Sequence, residues 1–109
     1  MAVAADETAY CVGDNGCMVV GRHGMWRKID TGTDFNLMDV CIHEETVYVC
    51  SDFQVFRWVE AELVPDFGDD AEDSPDTCLR LVSGGGSGLF SIGPYDVFVR
   101  KNGVWRRLA

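Results

Sequence analysis

The sequence predicts an all-β chain of three four-stranded antiparallel repeats, and three observations point there. Three apolar segments share one pattern, with an aromatic in second place: Ala9-Tyr10-Cys11-Val12-Gly13, Val47-Tyr48-Val49-Cys50-Ser51 and Leu89-Phe90-Ser91-Ile92-Gly93. Their starts lie 38 residues apart (9 to 47) and then 42 (47 to 89), close to the period of repeats built from four strands. Turn residues punctuate the whole chain at intervals of roughly 8–12 residues, as in all-β domains. Finally, no segment sustains helical periodicity, and the runs at 47–50 and 97–99 are apolar without alternation, as in strands covered on both faces.

The elements follow in chain order. The first repeat, about residues 1–30, opens on Met1-Ala2-Val3-Ala4, a poor strand by propensity. After the 9–13 strand, Cys17-Met18-Val19-Val20 leads through a hairpin at His23-Gly24 into Met25-Trp26-Arg27-Lys28-Ile29. The second repeat, 37–65, runs from Leu37-Met38-Asp39-Val40-Cys41-Ile42 through a turn at Glu44-Glu45 into the strand at 46–50. Gln54-Val55-Phe56-Arg57-Trp58 and a weak last strand near Glu62-Leu63-Val64 complete it. The third repeat, 78–109, starts with Leu79-Arg80-Leu81-Val82-Ser83. Its glycine-rich turn at 84–88 tolerates positive φ. Asp96-Val97-Phe98-Val99-Arg100 and Val104-Trp105-Arg106-Arg107-Leu108 then flank Asn102-Gly103, the strongest short hairpin signal in the chain.

By length this is a single domain over 1–109. A four-stranded sheet of this size cannot bury its own faces, and internal repetition favours the blades of a β-propeller. The same spacing also suits a self-contained sandwich or barrel of short strands. Three blades form an arc, half of a propeller, whereas rings have about 4–8. Bare edges and faces invite pairing, and closed two-fold dimers are the commonest oligomers. A homodimer with six blades in all is the expected assembly.

Several segments resemble a known family. Val12-Gly13-Asp14-Asn15-Gly16, Gly24-Met25-Trp26, Thr31-Gly32-Thr33 and Leu37-Met38-Asp39-Val40 look like bacterial β-propeller repeats. The types they resemble are those of photosystem II assembly factors and of sialidase Asp-box proteins. Asn102-Gly103-Val104-Trp105 matches the same hairpin, while Ala61-Glu62-Leu63 departs from it in the middle copy. The resemblance implies a propeller fold and a scaffold role. The full Asp-box consensus is missing from every copy, so sialidase catalysis does not carry over.

The formal net charge is −9, from 18 acidic and 9 basic residues. Phosphate binding needs clustered Lys and Arg, so nucleic acid and anionic membrane are not expected partners. A basic protein is compatible with this charge. No run of ~18 apolar residues suggests a spanning helix. The segment 1–5 lacks the basic start and apolar stretch of an export signal, and the five cysteines are an odd number that suits a reducing compartment. A cytoplasmic location is expected.

Few residues suggest chemistry. Cys11, Cys41 and Cys50 read as buried thiols acting as small hydrophobes, with Cys41 and Cys50 placed to face each other across a hairpin. No Cys-x-x-Cys pair occurs among the five (the others are Cys17 and Cys78), so neither metal nor cofactor is expected. His43 shares a strand face with Cys41 but is expected to lead into the polar turn at Glu44-Glu45, away from any nucleophilic pairing. His23 reads as a turn residue. The glycines at 84–88 precede a strand, whereas phosphate cradles deliver the chain into a helix. Asp66-Phe67-Gly68 matches a kinase metal motif in letters only.

The candidate site is the acidic loop at 66–76, with Asp66, Asp69, Asp70, Glu72, Asp73 and Asp76 and no base among them. It reads either as a solvated insertion or as a docking surface for a basic partner, and it can also fold over the basic hairpins of its own chain. The leading expectation is a non-enzymatic interaction module that binds a protein or small ligand. The alternative is a sugar-binding or hydrolase-like protein using Trp26, Trp58 and Trp105 as stacking platforms; their bland reading is packing between sheets.

Overall fold

The computed structural model describes residues 1–68, 73–75 and 77–109. Its strands form three four-stranded antiparallel sheets, each a simple meander consistent with a blade-like repeat. Sheet 1 holds β1 (Ala2–Val3), β2 (Ala9–Val12), β3 (Met18–Arg22) and β4 (Met25–Ile29). Sheet 2 holds β5 (Leu37–His43), β6 (Thr46–Ser51), β7 (Val55–Val59) and β8 (Glu62–Pro65). Sheet 3 holds β9 (Arg80–Ser83), β10 (Leu89–Ile92), β11 (Val97–Lys101) and β12 (Val104–Arg107). The weak N-terminal strand does form: Ala2 pairs with Tyr10 and Val3 with Ala9.

Strand pairing sets equivalent positions in the three sheets, apart from a register shift between Leu37 and Asp39 in sheet 2. Tyr10, Tyr48 and Phe90 face Val20, Arg57 and Val99 across the second and third strands. Met18, Val55 and Val97 likewise share one place. Side chains alternate across each strand, so every sheet has a forward face, turned to the sheet that follows, and a backward face.

Two apolar clusters occupy the two junctions. Between sheets 1 and 2, Met18 packs with Leu37, Val40, Val47 and Val49, with Ile29 and Leu63 beside them. Between sheets 2 and 3, Tyr48, Cys50 and Val55 pack against Leu81, Leu89, Phe98 and Trp105. The middle sheet is therefore covered on both sides, which explains the unalternating apolar run of β6. Strand β5 is tied directly to β9: the Asp39 carboxylate accepts a hydrogen bond from the Leu81 amide at 2.8 Å. At the far end of the same pair of strands, His43 Nδ1 lies 2.8 Å from Ser83 Oγ.

His43 closes β5 directly before the Glu44-Glu45 turn, and its ring nitrogen meets Ser83 rather than Cys41. The ring is only 4% exposed, because β9 covers the end of β5 before the chain reaches the Glu44-Glu45 turn. Cys41 and Cys50, which flank the same hairpin, do not stand directly opposite each other. Cys41 pairs with Tyr48 and Cys50 with Asp39 across the ladder, and all five cysteines are free.

Tight hairpins close one end of the sheets, at His23-Gly24, Glu44-Glu45, Glu60-Ala61 and Asn102-Gly103, all with positive φ at both central residues. The longer connections lie at the other end. There the β4–β5 connection is strapped onto the β2–β3 turn: the Gly16 amide donates to the Phe35 carbonyl at 2.6 Å, and Leu37 to Gly13 at 3.0 Å. Gly16 has φ +69, and a Cβ there would collide with the Thr33 carbonyl. Only glycine permits that approach. No helix of the described residues is long and apolar enough to cross a membrane.

Candidate functional site

Asp66, the residue just after β8, is the best-defined polar centre. Its side chain is 1% exposed. Oδ2 accepts from Arg100 Nε at 2.6 Å and from the Trp105 indole N–H at 2.7 Å, and Oδ1 from Arg100 Nη2 at 3.2 Å. Arg57 Nε stands 3.0 Å from Oδ1 as an ion pair, without the alignment of a hydrogen bond. A carboxylate accepting a two-pronged guanidinium contact and an indole N–H has its lone pairs well used. Around it, Phe67 meets Trp105 edge to face with centroids 6.3 Å apart. The Arg100 guanidinium carbon sits 5.3 Å over the Tyr48 ring, within cation–π range. The arrangement binds sheet 2 to sheet 3 and leaves no carboxylate oxygen free for chemistry.

The acidic loop thus divides. Asp66 is consumed by contacts within the chain. Asp73 is exposed, and its Oδ2 accepts a hydrogen bond from the Arg107 amide at 2.8 Å, so it leans on β12. Asp69, Asp70, Glu72 and Asp76 lie outside the described residues. The three tryptophans do not converge on one platform. Trp105 is buried against Asp66, Trp58 packs in the junction between sheets 1 and 2, and Trp26 lies 54% exposed on the backward face of sheet 1.

A second zone is the end that bears the long connections. Contacts chain these segments together: Phe35 stacks edge to face on Phe53 at 4.6 Å, and the Leu79 amide donates to the Ile92 carbonyl at 3.0 Å. The connecting segments 13–17, 30–36, 52–54, 66–79 and 93–96 contain no lysine or arginine. They carry Asp14, Asp30, Asp34, Asp52, Asp73 and Asp96 among their described residues, together with three exposed aromatics. Phe35 is 38% exposed, Phe53 50% and Tyr95 92%. Phe53 and Tyr95 hold the same place in their repeats, two residues before Val55 and Val97. Sequence reasoning missed this zone, although that repeated aromatic position was a signal for it.

His43 and Ser83 form an imidazole–hydroxyl contact at 2.8 Å, with the His43 ring buried. A depression of about 420 Å³ beside the β2–β3 turn is lined by Asn15, Lys28, Asp30, Thr31 and Thr33, without a nucleophile and a base in contact. Among the described residues no group of three or more His, Cys, Asp or Glu is placed to hold a metal. Cys50 and Cys78 are buried, and Cys11, Cys17 and Cys41 are half-buried. Cys50, hydrogen-bonded to Cys78 and sealed from water, has its pKa pushed far up, and the same bond pulls Cys78 down. Burial likewise raises Cys41. No family model, curated protein or solved structure matches this chain.

Proposed function

We propose that the chain is a non-enzymatic interaction module of propeller type, which docks a basic segment of another protein at the end bearing the long connections. The observation that carries this reading is the composition of that end: carboxylates without any Lys or Arg in its connecting segments, set around exposed Phe35, Phe53 and Tyr95. Aromatic side chains are enriched in the energetic centres of interfaces, where they supply large contact area at low entropic cost. Carboxylates at the rim steer a cationic partner in and reject acidic ones. Aromatic faces themselves attract guanidinium and ammonium groups. A small-molecule site is less well supported, since the concavities at this end are open and shallow.

The test is titration of a fluorescent peptide of alternating Arg and Leu, with its Glu-for-Arg counterpart as control. We expect saturable binding of the cationic peptide only, weakening as salt rises. Phe53→Ser and Tyr95→Ser together are expected to weaken binding at least tenfold. Equal affinity of that double variant, or equal binding of the acidic peptide, would remove the proposal.

A further inference from the structure

The terminal sheets leave two faces uncovered, the backward face of sheet 1 and the forward face of sheet 3. Their chemistry is that of faces already used inside the chain. On the forward faces, Ala2, Tyr10, Val12, Met18 and Val20 of sheet 1 pack in the first junction. At the same register positions, sheet 2 offers Cys41, Tyr48, Cys50, Val55 and Arg57 to the second. Sheet 3 carries Val82, Phe90, Ile92, Val97 and Val99 there, with no further sheet of this chain after it; Val82 is exposed, Phe90, Ile92 and Val97 are half-buried and Val99 is buried.

The outer strands make the match specific. Ile29, Asp66 and Leu108 are equivalent, each aligned with the first residue of its sheet's third strand through Met18, Val55 and Val97. Trp26, Leu63 and Trp105 are equivalent too, opposite Gly21, Trp58 and Arg100. In the first junction Ile29 and Leu63 share one apolar cluster. In the second, Asp66 bonds Trp105. The pair left over is Leu108, 48% exposed, and Trp26, 54% exposed, at opposite ends of the arc.

We infer that a second copy of this chain covers both faces, its Trp26 meeting Leu108 of the first copy and its Leu108 meeting Trp26. Two such contacts close a six-sheet ring with two-fold symmetry. Six is the one multiple of three within the roughly 4–8 blades that propellers use, so two copies complete it and three do not. Each contact is head to tail, forward face onto backward face, yet the dimer is closed because the two contacts are symmetry mates. This inference concerns the faces of the terminal sheets and stands independently of any binding at the acidic end.

The experiment is light scattering coupled to size exclusion at micromolar concentration, on wild type, Trp26→Glu and Leu108→Glu, with circular dichroism to verify folding. Wild type is expected at twice the 12.1 kDa of one chain. Each variant alone is expected to dissociate to single chains, having damaged both contacts. Mixed in equal amounts, the two variants are expected to recover dimer. In that pair one contact joins the intact forward face of the Trp26 variant to the intact backward face of the Leu108 variant. A dimer sensitive to Trp26 but indifferent to Leu108 would mean like faces meeting, and would overturn the head-to-tail ring. Wild-type mass of one chain overturns it without any variant. So does small-angle scattering that gives a radius of gyration near the 13.3 Å of the single subunit.

Discussion

Asp66 shows how much can depend on one carboxylate. It is sealed from water and held by Arg100, Trp105 and Arg57, so its removal leaves cationic groups and an indole N–H unanswered at a packed junction. Breaking a buried pair from one side typically costs about 3–5 kcal/mol, a large share of the roughly 5–15 kcal/mol that holds a domain together. Asp66→Ala is expected to lower the urea midpoint by a corresponding amount. Asp73→Ala, an exposed neighbour, is expected to change it by less than about 1 kcal/mol. No local pattern in the acidic run tells these two apart. What separates them is strand register, since Asp66 occupies the place of Ile29 and Leu108, and β8 is too weak a strand for its register to be read from sequence. A second residue-scale prediction concerns alkali. Burial raises the Tyr48 hydroxyl above its ordinary 10.0 and the Cys41 thiol above 9.0. The folded chain keeps these groups neutral while the unfolded chain ionises them. Their contribution to stability is complete below about pH 9 and is lost as pH rises through the folded values. Urea midpoints are therefore expected to fall with rising pH from 9 upwards, and Tyr48→Phe should flatten the part of that fall above pH 10.

At the scale of elements, the strands were legible because short apolar runs and hairpin signals agree. Asn102-Gly103 and His23-Gly24 name their turns outright. Glu44-Glu45 and Glu60-Ala61 do not, yet each adopts positive φ at both positions, with values of 49 and 66 in the first and 50 and 65 in the second. The strands on either side impose that geometry, since turns of this hand match the right-handed twist of a hairpin. Non-glycine residues there bear a steric cost of about 1–2 kcal/mol each. Replacing the second residue by glycine relieves it, less the added freedom of the unfolded chain, about 0.5–1 kcal/mol. Glu45→Gly and Ala61→Gly are each expected to stabilise by about 0.5–1 kcal/mol, read as a rise in thermal midpoint. The inter-sheet contacts were not legible at this scale. Asp39 on the Leu81 amide and His43 on Ser83 join residues about forty positions apart, and no local pattern announces which strand end a neighbouring sheet will cover.

For the whole molecule, composition gave the sign and size of the charge but not its placement. Only the up-and-down course of the strands gathers Asp14, Asp34, Asp52 and Asp96 at one end, with Lys28 and Arg80 at its border, while the hairpin end mixes Arg22 and Lys101 with Glu44, Glu45, Glu60 and Glu62. The three-sheet plan was readable because its repeats align by eye. Its faces were not, because forward and backward depend on pairing register to the single residue. The two internal seams also differ in kind. Between the first two sheets hydrocarbon meets hydrocarbon, tied by backbone bonds at the edge where Leu37 meets Gly13, and away from that edge such a seam tolerates small slides. Between the second and third, the polar network around Asp66 fixes one alignment and resists any other. The arc thus has one seam with play and one that is keyed. If a second copy closes the proposed ring, the adjustment of curvature it demands is expected to be absorbed at the slack seam, with sheets 2 and 3 turning together as a single stiff wedge.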